Sequence, residues 1–451
     1  MFLSFPRACG ARVSRVTGPL YAYAASEEFV LLYPVYVLLF ADHGLSVTRI
    51  SSLFVLWAVT GLLTSVPAGA LADVVPRRYL LAAAPVFAGA AFALWSWSPG
   101  YGVFALGFVL WGVGGSLSSG ALEALVYTEL AHRGAADRYA RVMGVTRALG
   151  VAAVGAATLL AVPVMSWGGY GAVGAASVAV CAVCALAGLA LPEHRSASDA
   201  TGPEADDSEA TGPAGSGGCE VRAVPHAPGH GRGGAPAGRA HDPAEEDEEP
   251  TGPSEYVAAL RAGLAQARGD RRVRGAILML VVVTSVWGVL DEYVPLLVAA
   301  EGVPVETVPV VVAVVWAGVT LGGLVAGPVS RLPAGAFAVL LGAAAVAIAA
   351  GSLMGGPVGW VLLGAGFGVC QAASVVADAR LQERITGSAR ATVTSVAGLG
   401  VDLVTTVSYP LYAVVFAVTG HGMAFALFAV PYLVAACVLG CARRSVPAVG
   451  R

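Results

Sequence analysis

The sequence predicts an all-α integral membrane protein with twelve transmembrane helices, arranged in two pseudo-symmetric halves of six. Three observations predict this fold class. The 451 residues are 57% hydrophobic and 12% charged, about half the charge density of an ordinary soluble domain. Apolar segments long enough to cross roughly 30 Å of hydrocarbon recur along the chain. Stretches of the first half are also echoed in the second half.

Each predicted helix is an apolar segment close to the roughly 20 residues that one membrane crossing requires. The first segment follows MFLSFPRACGARVSRVTGPL, whose arginines and long apolar continuation are typical of a cytoplasmic lead-in and not of a signal peptide. In order, the segments fall near residues 18–41, 50–72, 79–98, 101–130, 141–166, 168–191, 275–299, 306–329, 333–353, 357–381, 391–418 and 422–441.

The positions of the arginines orient these helices, because short positively charged loops stay on the cytoplasmic side of a membrane. Arginines follow the second, fourth, eighth, tenth and twelfth segments, whereas the opposite loops hold none except Arg49. We therefore expect a multi-pass plasma membrane protein with both termini in the cytoplasm. All 26 basic residues are arginines and Ala, Gly and Val dominate, which indicates GC-rich coding and a bacterial origin.

The composition divides the chain into an N-terminal half at 1–192 and a C-terminal half at 275–451. Residues 193–253 are rich in Gly, Pro, Ala and acids, and they repeat Thr-Gly-Pro. Such a segment cannot bury a core, so we predict a disordered cytoplasmic linker, with a partner-binding tail as the alternative. Residues 254–274 predict a basic amphipathic approach helix, suited to an anionic inner leaflet.

The two halves show an internal repeat. Residues 40–73 align with residues 298–331, and the alignment pairs Gly44 with Gly302. Two parallel halves of six spans are a transporter architecture, in which the substrate lies between the halves near the middle of the membrane.

The stretch GALADVVPRR resembles the loop signature between the second and third helices of the major facilitator superfamily of transporters. The signature's glycine, aspartate and basic residues are matched by Gly69, Asp73, Arg77 and Arg78. The glycine is expected to let two helices approach closely, and the aspartate to form a charge clasp with both arginines at the cytoplasmic rim, where it would gate transport.

The chain also departs from the superfamily's patterns. Val74 and Pro76 replace a basic residue and a glycine of the loop signature. The fourth segment lacks the membrane arginine of many proton-coupled members, and the fifth lacks the Gly-Pro signature of typical drug antiporters. The resemblance therefore implies the superfamily and not the antiporter subclass.

Seven ionisable residues lie inside the predicted spans, where each costs about 2.5 to 3.5 kcal/mol unless it has a partner, water or a function. We expect them to line the path of the substrate and of protons, although some acids would alternatively face only water in the lumen. They are Glu27, Glu28, Glu123, Arg147, Asp291, Glu292 and Asp402.

Helical rise places Glu27, Glu123, Arg147 and Asp402 at similar depths, so they are expected to meet near the middle of the membrane. Glu123 and Arg147 flank one loop at matched distances and form the preferred ion pair, with either a structural or a gating role. Helical spacing also predicts three polar faces that line water. The faces are Ser116, Ser119, Glu123 and Tyr127 in the fourth segment, Gln371, Ser374 and Asp378 in the tenth, and Asp402, Thr405, Thr406 and Tyr409 in the eleventh.

Two acid pairs stand out, Glu27-Glu28 in the first segment and Asp291-Glu292 in the seventh. Neighbouring residues point about 100° apart on a helix, so one acid of each pair is expected to face the cavity. We favour Glu27, with Tyr23 one turn below, and Asp291, with Trp287 one turn below. Counted from the matched glycines, the second pair lies about 9 Å nearer the outside than the first.

These features predict a monomeric secondary transporter that exports a small lipophilic or cationic compound against proton entry by alternating access. Proton-coupled uptake of a metabolite is the alternative, and a non-transporting sensor is the alternative of a different class. An enzyme is not expected, because all seven histidines lie in predicted loops or the linker, and no catalytic residue, metal site or cofactor is predicted. The arginines lack interleaved aromatics, so nucleic-acid binding is not expected.

Overall fold

The computed structural model describes residues 7–194, 261, 265, 268–385 and 390–444, except for the side chains of 7–15, 73, 390–391 and 442–444. Regular secondary structure in these ranges is helical. The helices are α1 (Arg7–Glu28), α2 (Tyr36–Asp42), α3 (Val47–Val74), α4 (Arg77–Trp97), α5 (Tyr101–Ser118), α6 (Ala121–His132), α7 (Tyr139–Leu189), α8 (Arg271–Ala300), α9 (Val308–Leu324), α10 (Ala326–Ser330), α11 (Ala334–Met354), α12 (Gly356–Gln382), α13 (Arg390–Phe428) and α14 (Val430–Arg444).

By length and composition, eight helical segments of the described ranges could each cross a membrane. Two of them, 54 and 50 residues long, exceed what one crossing needs. Each contains a glycine with a left-handed, non-helical backbone, Gly169 at φ 59° and Gly420 at φ 78°, so the helix direction changes there. The all-helical membrane class is confirmed, and the count of twelve spans stays a prediction.

The first predicted span is not one continuous helix. Helix α1 ends at Glu28, and residues 29–35 are not helical, with turns at 31–35 before α2 begins. The backbone N–H of Leu32 donates instead to the Ser177 hydroxyl on α7, 3.1 Å away. Non-helical backbone is tolerated at membrane depth only where protein or a water-filled cavity satisfies it, so this break marks a candidate site.

The fourth predicted span is also interrupted. Helix α5 ends at Ser118, Gly120 adopts a left-handed φ of 74°, and α6 begins at Ala121. The expected continuous polar face from Ser116 to Tyr127 is therefore wrong, because the break changes the helical register of the two segments. Ser116 instead exchanges a 2.7 Å hydrogen bond with Thr64 on α3.

Glycines allow very close helix packing in the second half, between α9 and α12. A Cβ on Gly364 would lie 3.0 Å from the carbonyl oxygen of Val314 on the facing helix. Gly69 does not bring two helices close together as expected, because nothing lies within 4 Å of the position its Cβ would take. Two helices therefore do not approach closely at Gly69. Close helix approach is seen at other glycines, such as Gly364.

Among the described residues, the most extensive contacts between the first half, α1–α7, and the second half, α8–α14, are those of α3 with α13, α7 with α9, and α2 with α8. We call the end of the bundle at which α3 begins the closed end, because two hydrogen bonds join the halves there. Most of the predicted linker, residues 195–253, and residues 254–260 of the approach helix lie outside the described residues.

Candidate functional site

A cavity of about 320 Å³ lies between the two halves. It is bounded by the break after α1, by α3, α5 and α7 of the first half, and by α8 and α9 of the second half. No basic side chain lines it in the part of the chain that the structure describes. Its polar and aromatic lining consists of Glu28, Tyr33, Tyr36, Trp57, Trp111, Thr158, Asp291, Glu292 and Trp316.

The acids of this cavity come from the C-terminal end of α1 and from the interior of α8. Glu28 is the last residue of α1, and its side chain packs against α7 where a Cβ on Gly150 would lie 3.2 Å from its Cγ. Asp291 and Glu292 are consecutive residues of α8, and Pro295 lines the same cavity. Because Pro295 has no N–H, it leaves the carbonyl of Asp291 without its usual helical donor.

Each acid pair therefore supplies at least one carboxyl group to the main cavity. The expected 9 Å offset between the pairs assumed a continuous helical rise from Glu27 to Gly44, and that premise fails because residues 29–35 are not helical. In the second half, both acids line the cavity. In the first half, Glu28 lines it, and Glu27 lines a neighbouring cavity of about 80 Å³.

Glu27, which lines the neighbouring cavity, has a hydrogen-bond partner one turn away on α1. The Tyr23 hydroxyl donates to Oε1 of Glu27 at 3.4 Å. Tyr33 and Trp111 line both cavities. Trp287 does not line the main cavity; its indole N–H donates to Ser374 on α12 at 3.2 Å.

Stacked aromatic rings form the wall of the main cavity in the first half. Trp57 stacks on Trp111 with ring centroids 4.9 Å apart, and Tyr33 stacks on the same ring at 5.8 Å. Trp316 on α9 lines the cavity from the second half. The faces of such rings carry partial negative charge, so they attract a cation.

The closed end consists of polar and aromatic contacts between the halves. The Tyr36 hydroxyl donates to Oε2 of Glu292, and the hydroxyls of Ser51 and Tyr293 are 2.6 Å apart. Phe54 of α3 packs against Tyr293 and Tyr409 of the second half, at centroid distances of 5.6 and 5.0 Å. Tyr409 therefore contributes to this seal and not to a water-lined face.

At the opposite end of the bundle, which we call the open end, α3 is largely exposed beyond Gly61. Leu63 is 69% and Val66 79% exposed, whereas Thr64 is half-buried and Ala68 is buried. An exposed run that covers successive positions of a helix extends around most of its circumference. The second part of α3 is therefore only loosely covered by protein.

The remaining predicted residues are not among those that line the two cavities. Glu123 is half-buried and Arg147 is exposed, and they do not form an ion pair. Asp402 and Tyr127 are exposed. The predicted Glu123-Arg147 ion pair is thus not formed in this conformation, because the break at Gly120 displaces α6 from the continuous helix on which the pairing rested.

Comparison of the sequence with models of known protein families identifies the family of this chain. The model of the Major Facilitator Superfamily matches residues 22–408. The chain belongs to the major facilitator superfamily. It is therefore a multi-pass membrane transporter and not an enzyme. No curated protein sequence matches it significantly.

Solved transporter structures share this fold. A mutant of the nucleoside transporter NupG superposes with a TM-score of 0.67 at 12% identity, over 96% of this chain and 99% of that chain. The D-xylose-proton symporter gives 0.60 at 13%, over 96% and 97%. The POT family transporter PepTSo gives 0.61 at 12%, over 96% and 98%. At such identities the likeness shows the fold alone.

The superfamily's loop signature is held by a carboxylate that the sequence reasoning missed. Glu193 accepts hydrogen bonds from the backbone N–H groups of Arg77 and Arg78, at 2.8 and 3.2 Å, and so caps α4. The Arg77 guanidinium donates to Thr128 at 3.4 Å. The side chain of Asp73 lies outside the described residues, so the predicted charge clasp stays a prediction.

A second missed cluster lies beside it. Glu129 of α6 is 1% exposed and accepts hydrogen bonds from the Arg133 guanidinium at 2.9 Å and from Nδ1 of His194 at 3.0 Å. The His194 ring also stacks on His132. The only sequence signal was the four-residue spacing of Glu129 and Arg133 on a helix. Groups of three or more His, Cys, Asp or Glu suited to a metal are absent from the described ranges.

Proposed function

We propose that this transporter moves a small lipophilic organic cation across the plasma membrane by alternating access, and that it exports the cation against proton entry. The observation that carries the proposal is the main cavity, where Glu28, Asp291 and Glu292 face tryptophan and tyrosine rings. Binding in this cavity would place the substrate between the two halves, as in other transporters of this architecture.

The chemistry of the cavity favours a cation for two reasons. Three carboxyl groups without a basic partner in the lining leave negative charge for a cation or protons to neutralise. Tryptophan faces attract a cation by about 0.5 to 2 kcal/mol each, and their apolar area favours a lipophilic body. A cation and protons would therefore compete for the same carboxyl groups, which is the physical requirement for exchange.

We propose roles in this scheme for the other predicted pathway residues. Glu27, with Tyr23, would hold a proton beside the main cavity. Glu123, Arg147, Asp402 and Tyr127 would line the route from the open end, and Trp287 and Tyr409 would support the second half. The signature residues Gly69, Asp73, Arg77 and Arg78 would act as the gate at the cytoplasmic rim.

The proposed orientation has both termini in the cytoplasm, supported by the arginines of the loops. The closed end would then face outward and the open end inward, so the structure would correspond to a state that loads substrate from the cytoplasm. We propose that a monomer performs this cycle, with residues 1–192 and 275–451 as the moving halves, 193–253 as the linker and 254–274 as the approach helix.

The direct test uses a bacterial host that lacks its own efflux pumps. A fluorescent lipophilic cation should accumulate less when the protein is present, and accumulation should return when the proton gradient is collapsed. Glu28→Gln should abolish the difference at equal protein amount, whereas Asp137→Asn, a change of an exposed acid outside the cavity, should retain it. Equal accumulation with and without the protein would refute cation export.

Proton-coupled uptake of a small metabolite is the second candidate. It is supported by the stacked Trp57 and Trp111 faces, on which a sugar or base ring can stack, and by the hydroxyl groups of the same cavity. The structurally similar D-xylose-proton symporter and nucleoside transporter carry such substrates. Proton uptake into vesicles on addition of a nucleoside or pentose would support it, and would count against the export proposal.

A sensor without transport is distinguished by deletion of residues 200–250. A transporter should retain its transport after this deletion, because the deleted residues lie outside both halves. A sensor that signals through the linker should lose its output while the amount of folded protein is unchanged.

A further inference from the structure

A second concave surface lies on the second half, between α8 and α14. It is a groove of about 630 Å³, and none of its lining residues lines the main cavity. Its lining is apolar apart from one arginine. The groove includes Leu278, Val282, Val430, Val434, Val438 and Arg384.

The arginine is fixed at the start of α8. Nη1 of Arg384 donates to the backbone carbonyl of Arg272 at 3.1 Å, which joins the segment after α12 to the first turn of α8. The side chain is exposed and has five N–H donors, so this bond leaves most of them for other acceptors. A planar guanidinium with several available donors is well suited to a phosphate.

Positive charge is concentrated around this point. Four arginines and one acid fall between residues 268 and 274. The acid, Asp270, caps α8 by accepting from the backbone N–H of Arg272 at 2.7 Å. Arg271, Arg272 and Arg274 are exposed. The apolar groove therefore begins at a cluster of exposed guanidinium groups.

We infer that this groove binds an anionic phospholipid, with an acyl chain along α8 and α14 and its phosphate at Arg384 and the first turn of α8. The apolar lining matches an acyl chain, and the arginines match a negative headgroup at the membrane surface. A zwitterionic lipid would fill the groove, but its positive group would reduce the attraction. A free phosphate would lack the acyl contacts.

The test titrates the purified full-length protein in mixed micelles with dioleoyl phosphatidylglycerol or dioleoyl phosphatidylcholine, and counts bound lipids by mass spectrometry. Phosphatidylglycerol should bind saturably and more tightly than phosphatidylcholine. Arg384→Gln should weaken its binding about 10-fold, as expected for loss of a charge-assisted contact. Arg331→Gln, a change of an exposed arginine that does not line the groove, should have no effect.

Filling the groove tests the acyl chain separately. Nothing lies within 4 Å of a Cβ on Gly275, which lines the groove, so Gly275→Trp should fold and should weaken both lipids. The inference is overturned if the two lipids bind equally, if Arg384→Gln binds phosphatidylglycerol as the unchanged protein does, or if inorganic phosphate displaces the lipid. Circular dichroism of each variant shows whether it has folded.

Discussion

The hydrogen bond from Tyr36 to Glu292 gives the most direct test of how the halves are held together. The replacement Tyr36→Phe removes one hydroxyl and keeps the ring, which packs against Trp95 with centroids 5.7 Å apart. We expect the closed end to open more often, because this bond exists only while the halves are in contact at that end.

The magnitude follows from the partner of the hydroxyl. A net hydrogen bond contributes about 0.5 to 1.5 kcal/mol between neutral groups and about 1.5 to 3 kcal/mol to a charged group. When the end opens, water replaces both partners. Tyr36→Phe should therefore shift the balance between closed and open states by about 1 to 3 kcal/mol, or roughly 5- to 150-fold.

Distances between spin labels at Ser52 and Val418 measure this balance. Both positions line a shallow groove where α3 meets α13 at the closed end. The labels would be attached to cysteines introduced there, after the seven native cysteines have been replaced. In Tyr36→Phe, the population with long distances should increase relative to the same labelled protein with Tyr36 intact.

The matched control is Tyr412→Phe. It also removes a tyrosine hydroxyl that is hydrogen-bonded, to Nδ1 of His421 at 2.8 Å, but both partners belong to the second half. Its distance distribution should equal that of the starting protein. If Tyr36→Phe leaves the distribution unchanged, or if Tyr412→Phe shifts it as much, the closed end does not depend on the Tyr36 bond.

Three further predictions concern stability and binding. Ser177→Ala should lower the free energy of unfolding by about 1 to 3 kcal/mol, because Leu32 would lose the acceptor of its backbone N–H, and thermal unfolding in detergent measures it. Gly364→Leu should lower the yield of folded protein, because its Cβ would lie 3.0 Å from a backbone oxygen, whereas Gly323→Leu, with nothing within 4 Å, should not. Trp316→Ala should weaken the affinity for a fluorescent cation roughly 2- to 30-fold, and unchanged affinity would exclude its ring from the binding site.

The sequence predicted the membrane class because that class depends on local properties. A run of apolar residues of spanning length must hydrogen-bond its own backbone in lipid, so it forms helix wherever it lies in the chain. The acids near the start of each half were found for a related reason. A carboxyl group among apolar residues costs free energy unless it has a role, and it can be recognised from the sequence by its apolar neighbours.

The breaks in the helices could not be predicted in the same way, because their partners are distant in sequence. The non-helical segment 29–35 is stabilised by Ser177, 145 residues beyond Leu32, which accepts the backbone N–H of Leu32. Periodicity within the first segment carries no information about that serine. The break after Glu28 also determines which acid lines the main cavity. Because a continuous first helix was predicted, Glu27 was favoured for the cavity, whereas Glu28 lines it.

Glu292 connects the cavity to the closed end, since one carboxyl group both lines the cavity and accepts the Tyr36 bond. A ligand can shift a conformational equilibrium only by its difference in affinity between the two states. A cation that binds Glu292 in the cavity competes with the Tyr36 hydroxyl for the same oxygens, so it weakens the contact that holds this end closed. On the proposed function, substrate loading would itself favour opening of the closed end. An empty cavity would leave the Tyr36 bond intact, which would suppress opening without substrate.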